Sequence, residues 1–278
     1  MKREIISLHI AVMLFGLAGV IGKFVSVPAI LVTFGRVFFF LIFLLIIILI
    51  KKDNWKLKKR DYSYVIVAGI ILAIHWFTFL QAIQIATVAI GTITFATFPI
   101  FVTFLEPLIY HEKLEIKNVT MAIIMFAGVL ITVPEFSLAN QMTLGIVVGM
   151  ISAFSYAILC LFNRYLSLNY SGTIICLYEQ GVATIILFPT IFFVTTTINS
   201  LDLGAIIFLG IVCTAIAHSI YVNSLKKIKV QTASIISSME SVYSIIFAFL
   251  LLNETLAFKE LLGGLIIIGV AIYLSFNN

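Results

Sequence analysis

The sequence predicts an all-α membrane protein in which ten transmembrane helices form two inverted five-helix repeats. Three observations lead to this reading: the composition, the spacing of the charged residues, and a self-match at an offset of 142 residues. Of the 278 residues 62% are hydrophobic and 10% are charged, whereas soluble globular domains carry about 25% charged residues. Mean hydropathy is +1.21. These values exclude a soluble enzyme, a disordered chain and a fibre. The net charge is +5, but Lys and Arg sit in short clusters between apolar runs and not along one basic face. They therefore argue for topology signals and against nucleic-acid binding.

A helix needs about 20 mainly apolar residues to cross the hydrocarbon core, so the gaps between charges locate the spans. The first is expected at 5–22, after Lys2, Arg3 and Glu4. No A-x-A cleavage site follows it, so it is expected to be retained and not removed as a signal peptide. The second, 29–50, ends at Lys51. Residues 62 to 105 contain no Asp, Glu, Lys or Arg, which leaves room for spans at 64–84 and 88–110 joined by a tight turn near Gln84 to Thr87. The remaining spans are expected at 117–133, 143–162, 172–195, 203–224, 230–252 and 260–276. Ten such helices leave no room for a soluble domain of useful size. Long unbroken apolar runs such as Val37 to Ile50 exclude an outer-membrane barrel, whose strands alternate in polarity.

Lys and Arg near span ends resist translocation. Both termini are accordingly expected in the cytoplasm of a multi-pass protein of the plasma (inner) membrane. That choice places Lys2, Arg3, Lys51, Lys52, Lys56, Lys58, Lys59, Arg60, Lys113, Lys117, Arg164, Lys226, Lys227 and Lys229 inside, 14 of the 17 cations. Lys23 and Lys259 face outward, and Arg36 falls within the second span. Cys160, Cys176 and Cys213 all lie in apolar stretches, as suits small buried residues better than a disulfide framework or a metal site.

At the offset of 142, Ile93 falls on Ile235, Leu108 on Leu250, Glu112 on Glu254, Leu114 on Leu256, Lys117 on Lys259 and Ile124 on Ile266. The E-x-L turn with its trailing Lys is harder to obtain by chance than matches among Leu and Ile. Halves at 1–136 and 137–278 then hold five spans each. An odd number inverts the second half, the architecture of many secondary transporters.

The chain resembles the ten-span EamA-type members of the drug/metabolite transporter superfamily over essentially its whole length. The resemblance rests on Phe15-Gly16 followed by Lys23, Pro28 and Arg36, on the F-P-I-F-V and M-E-S-V-Y segments around Pro99 and Glu240, and on the turns at Glu112 and Glu254. It implies two inverted five-helix bundles around a central cavity, transport of a small organic solute, and no cofactor. Ser241 stands where family members often carry Pro, so a hinge attributed to that proline is in doubt here.

Charged residues at membrane depth are expensive and face a cavity or a partner. Arg36, Glu179 and Glu240 lie within spans, and Glu106 lies about one turn from a cytoplasmic end, within reach of headgroups or a Lys by snorkelling. His75, Trp76 and Phe79 in the third span and His218 with Tyr221 in the eighth occupy nearly corresponding places and suggest cavity walls. Tyr156, Tyr178 and Tyr243 join them as candidates. Each has a structural alternative, as an interfacial aromatic, a satisfied hydrogen-bonder or a helix anchor. Gly16, Gly19, Gly22, Gly263, Gly264 and Gly269 permit close helix approach, and Pro99, Pro107 and Pro189 can kink helices.

The function expected is that of a secondary transporter, an exporter of amino acids or related zwitterions, with the carboxylate meeting Arg36 and the amine meeting Glu240. Protons are the candidate coupling ion, the bilayer is the medium, and a monomer suffices. No Walker-type motif is present, so this chain does not hydrolyse ATP, and no catalytic motif marks an enzyme. Cationic drugs, sugars or nucleotides remain alternative solutes. A channel fits poorly, because the intramembrane charges are single and not repeated in rings.

Overall fold

The computed structural model describes residues 2–52, 55–110, 114, 116–134, 137–225 and 230–277. Among the described residues the secondary structure is helical throughout. The α-helices are α1 (Lys2–Phe24), α2 (Ala29–Lys51), α3 (Tyr62–Ile85), α4 (Val88–Phe95), α5 (Phe98–Tyr110), α6 (Ile116–Thr132), α7 (Gln141–Ser167), α8 (Gly172–Leu187), α9 (Thr190–Phe193), α10 (Ser200–Gly210), α11 (Ala217–Leu225), α12 (Val230–Leu252) and α13 (Phe258–Asn277). Among the described residues seven helical segments are long and apolar enough to cross a membrane, where ten spans were expected, and Ile116–Thr132 and Met239–Leu252 are shorter apolar helices. Large apolar side chains such as Leu49, Ile50, Phe193 and Leu265 point outward. In water such a surface would aggregate; in lipid it is solvated.

Short polar residues set the helix starts where the sequence supplies them. The Asn140 side chain accepts from the backbone N–H groups of Met142 and Thr143, Thr87 from Ile90, and Asn199 from Asp202. Each satisfies donors that the first helical turn leaves open. The expected turn near Gln84 to Thr87 lies between α3 and α4. Three departures from simple spans stand out. The helix expected over 88–110 is broken at Ala96–Thr97, just before Pro99, which has no N–H to offer the Phe95 carbonyl. The rod expected over 203–224 begins at Ser200 and carries a π-helical turn at Ile211–Ile216 between α10 and α11. Pro189 lies between α8 and the short α9.

Close helix pairs define the packing. α3 runs antiparallel to α7: Gly145 approaches Ala86, and Tyr64 stacks on Tyr165 at 4.6 Å between ring centroids. α1 packs on α12, where a Cβ on Gly16 would lie 3.0 Å from the Ser244 backbone nitrogen. α6 packs on α13 through Gly128 and Gly263.

One end of the bundle is sewn together by polar contacts. Lys23 Nζ donates to the carbonyls of Ile83 (2.9 Å), Gln84 (3.0 Å) and Ala86 (2.5 Å), at the C-terminus of α3 where carbonyls lack helical partners. Gln84 Nε2 returns hydrogen bonds to the carbonyls of Gly22 and Val27, both 3.0 Å. Ser26 donates its backbone N–H and its hydroxyl to Asp202, at 3.1 and 2.6 Å. Lys23, assigned outward by charge alone, is therefore bent onto a helix end. Lys23→Met removes three charge-assisted bonds, and we expect about 1.5–3 kcal/mol of lost stability, read as a lower unfolding temperature in detergent.

Glu254, in the turn between α12 and α13, accepts the backbone N–H of Val88 at 2.9 Å, on the first residue of α4. Burial lifts its carboxyl above the usual carboxylate range, opposed by that hydrogen bond and by Lys23. The folded chain then holds this proton more tightly than the unfolded chain. Its contribution is fully present below the unfolded pKa and is lost as pH rises through the raised value. Glu254→Gln, neutral at every pH, should therefore gain in unfolding temperature relative to wild type as pH rises through that range. Its sequence counterpart Glu112 lies outside the described residues, as do Lys113, Lys226, Lys227 and Lys229.

Candidate functional site

Arg36 lies two turns into α2 and is 6% exposed. Its Nε donates to the Thr214 hydroxyl at 2.9 Å, and its guanidinium lies 3.8 Å from the ring centroid of Trp76 on α3. Cation–π contacts of this kind gain strength when water is excluded. Thr214 is offered to Arg36 by the π-helical turn: its hydroxyl donates to the Leu209 carbonyl five residues back, at 2.8 Å. π-turns often mark functional sites, because the extra residue re-aims a side chain without ending the helix. Gly210 makes room, since a Cβ there would sit 3.1 Å from the Arg36 carbonyl oxygen.

The carboxylate of Glu240, on α12, is within Coulombic reach of Arg36. Tyr156 of α7 lies near both Tyr221 of α11 and Glu240. An aromatic wall completes the site. The His75 ring centroid lies 4.8 Å from Tyr156, 5.2 Å from Phe95 and 6.3 Å from Phe79, and Tyr156 meets Phe98 edge-on at 5.0 Å. His75 Nδ1 is 3.1 Å from the Ser152 carbonyl, and the Ser152 hydroxyl donates to the His75 carbonyl at 3.1 Å. The histidine is thereby fixed between α3 and α7.

The structure thus brings Arg36, Trp76, Glu240, Tyr156, Tyr221, His75 and Phe79 around one central region. The other four candidates lie around it. Tyr243 faces α1, with its hydroxyl 2.7 Å from His9 Nδ1. His218 Nε2 is 3.3 Å from Cys176 Sγ. Tyr178 donates its hydroxyl to the Trp55 carbonyl at 3.0 Å and meets Tyr62 edge-on, at the loop end of α8. Glu179, one residue on, is 2% exposed, and its Oε1 is buried without a hydrogen-bond partner.

Thr214 and Asn163 were not singled out by the sequence, and Glu106 and Ser241 have partners that it did not give. Thr214 is one of many threonines in apolar helices, and Asn163 carries no pattern. Glu106 pairs with Arg164 across 58 residues of chain, where the sequence had offered headgroups or a Lys. Ser241, at the position of the missing proline, donates to the Thr92 carbonyl at 3.1 Å and ties α12 to α4.

This geometry has the elements of a solute site. A guanidinium lies over the face of Trp76 within Coulombic reach of a carboxylate, with the His75, Tyr156, Phe95 and Phe98 rings packed on one another and helices from both halves of the chain contributing. Charged groups so placed recognise charge on a ligand, and the aromatic faces accept its apolar part.

Comparison with known proteins agrees with this picture. The model of the EamA-like transporter family matches the chain twice, over residues 2–133 and 143–276. An uncharacterized transporter of Archaeoglobus fulgidus is 27% identical over 267 residues, covering 95% of this chain and 93% of its own. An uncharacterized transporter of Bacillus subtilis, YxxF, is 24% identical over 250 residues, covering 87% and 79%. A crystal structure sharing 14% identity superposes with a TM-score of 0.66 over 100% of this chain and 98% of that one, a likeness of fold. With two family matches spanning nearly its whole length, the chain belongs to the EamA-like transporter family, whose members are multi-pass membrane transporters and not enzymes.

Proposed function

We propose that the protein is a secondary exporter of amino acids or related zwitterions, working by alternating access at the central site. Ten spans cross the plasma (inner) membrane as two inverted five-helix repeats, residues 1–136 and 137–278, with both termini in the cytoplasm. The observation that carries the reading is Arg36, held by Thr214 and Trp76 within Coulombic reach of Glu240. A zwitterion presents one charge to each member of such a pair. Its carboxylate meets the guanidinium of Arg36, its ammonium meets Glu240, and its side chain lies against Tyr156, His75 and Phe79. The solute replaces the attraction between the two residues by two attractions of its own, so neither charge is left unpaired when it binds.

The experiment is counterflow in proteoliposomes with a panel of labelled amino acids, run beside anionic and cationic metabolites of similar size. Saturable exchange of zwitterions that falls at least about 100-fold in Glu240→Gln supports the reading, a loss equivalent to about 2.7 kcal/mol. Exchange restricted to cations, or unchanged in Glu240→Gln, refutes it.

A further inference from the structure

We infer that the end of α2 and the segment after it bind one anionic phospholipid, with its phosphate at Lys52 and Trp55 and an acyl chain along Leu45, Ile48 and Leu49. The site is separate from the central one and does not depend on which solute is carried. A groove of about 230 Å³ is lined by Leu45, Ile48, Leu49, Lys52 and Trp55. Ile48, Leu49 and Lys52 follow Leu45 by three, four and seven residues, so the four share one helix face. That face is apolar along its length and cationic at its end. Leu49 is 71% exposed and Trp55 46%, so the groove opens outward from the bundle.

The backbone around the groove is built to present these side chains. Lys52 caps α2 with a φ of 54° and donates its backbone N–H to the Ile48 carbonyl. Left-handed backbone at a helix end ordinarily falls to Gly or Asn, which adopt it at less cost. A lysine there strains the backbone and sets an ammonium at the mouth of the groove. Trp55 is held by the Tyr178 hydroxyl on its carbonyl, and the chain beyond it is fastened to the bundle. Leu57 is buried with Val65, Leu166 and Ile175. Lys58 donates its backbone N–H to the Tyr170 hydroxyl at 3.0 Å, and that hydroxyl donates to Asp61 at 2.6 Å. Asp61 also lies 3.4 Å from Arg60 Nε.

Charge and depth both select the ligand. Residues 51–61 carry six cations against two acids, Asp53 and Asp61. Among the described residues no acid pairs with Lys51, Lys52 or Lys59. Trp55, Tyr62 and Tyr64 are all exposed at this end of the bundle, and such residues mark the headgroup level of a bilayer. At that level the abundant anion is a lipid phosphate. Lys52 offers it three donors and the Trp55 indole one, while the groove accepts an apolar chain that a free phosphate lacks. A zwitterionic headgroup would bring its own ammonium toward the lysines, so a headgroup of net negative charge fits better.

The test titrates phosphatidylglycerol into the delipidated protein in detergent micelles, with phosphatidylcholine and inorganic phosphate as parallel arms. It reads the unfolding temperature and, by native mass spectrometry, the number of lipids retained. Phosphatidylglycerol should stabilise the wild type saturably and remain bound as one molecule, and neither of the other two should match it. Lys52→Gly suits the left-handed backbone, so without lipid it should unfold no earlier than the wild type. It should nevertheless bind phosphatidylglycerol about 10- to 100-fold more weakly, the loss expected for a hydrogen bond to a charged group. Lys52→Gln should lose affinity to the same extent. Lys59→Gln removes a cation that does not line the groove, and its loss should be about 5-fold or less, as for surface attraction alone. Equal losses at Lys52 and Lys59 would mean diffuse attraction and overturn the site. Equal stabilisation by phosphatidylcholine or by inorganic phosphate would overturn it as well.

Discussion

Arg36→Gln is expected to abolish saturable transport and to cost about 3 kcal/mol or more of stability, because it strands Glu240 as a partly buried charge without its counter-charge. The loss has three physical parts. Thr214 loses the donor its hydroxyl accepts from, Trp76 loses the cation over its ring, and Glu240 loses its Coulombic partner. The third part is removable. In the double variant Arg36→Gln/Glu240→Gln no charge is left unpaired, so its stability should exceed the sum of the single effects by about 1–3 kcal/mol. Unfolding temperatures of the four proteins in one detergent measure this coupling. Strict additivity would mean that the two residues do not act as a pair. Transport should remain absent in the double variant, since the charges that meet the solute are gone even when the fold recovers.

Gly263→Leu should be the most damaging change outside the site. A Cβ there would fall 2.5 Å from the Gly128 carbonyl oxygen and 2.4 Å from Thr132 Cγ2. The first of these is backbone and cannot rotate away, so α6 and α13 must separate. Overpacking of this kind typically costs 1–3 kcal/mol and more where backbone must move, and we expect about 3 kcal/mol or more here. Gly204 is the internal control. Nothing lies within 4 Å of a Cβ at that position in α10, so Gly204→Ala should be neutral or stabilise by about 0.5–1 kcal/mol through helix propensity. Equal effects of the two substitutions would remove close approach as the explanation.

The contrast between these glycines shows what the sequence carried and what it did not. Apolar runs bounded by charge clusters predicted an all-helical membrane protein, because the length needed to cross lipid is a one-dimensional property; of the ten spans expected, seven have helical segments long and apolar enough to cross among the described residues. They placed the α3–α4 turn and identified Arg36, Glu179 and Glu240 as charges within the helices, of which Arg36 and Glu179 are buried and Glu240 is half-buried. A run of apolar residues says nothing about hydrogen-bond register within it, so the π-turn at Ile211–Ile216 and the break at Ala96–Thr97 had no signal beyond the nearby Pro99. Thr214 matters only because that turn aims it at a residue 178 positions away. Lys23 showed a charge at a span end, and charge rules place such a group in headgroups or water. Three helix-terminal carbonyls compete better for its donors. Glu106 was read against headgroups or a Lys, whereas its partner Arg164 comes from another helix. In each case the missing information was which distant segments meet, and a single sequence does not encode that in any local pattern.

The most direct test of solute binding between Arg36 and Glu240 uses the protein's own fluorescence. The chain has two tryptophans, Trp55 and Trp76, so in a Trp55→Phe background Trp76 alone reports, with the Arg36 guanidinium 3.8 Å from its ring centroid. Titration with each amino acid that shows counterflow should change Trp76 emission saturably, with the same half-maximal concentration as transport, and Glu240→Gln should erase the response. A solute that is carried saturably while Trp76 emission stays constant, and that Glu240→Gln carries equally well, would contradict a binding site at this place.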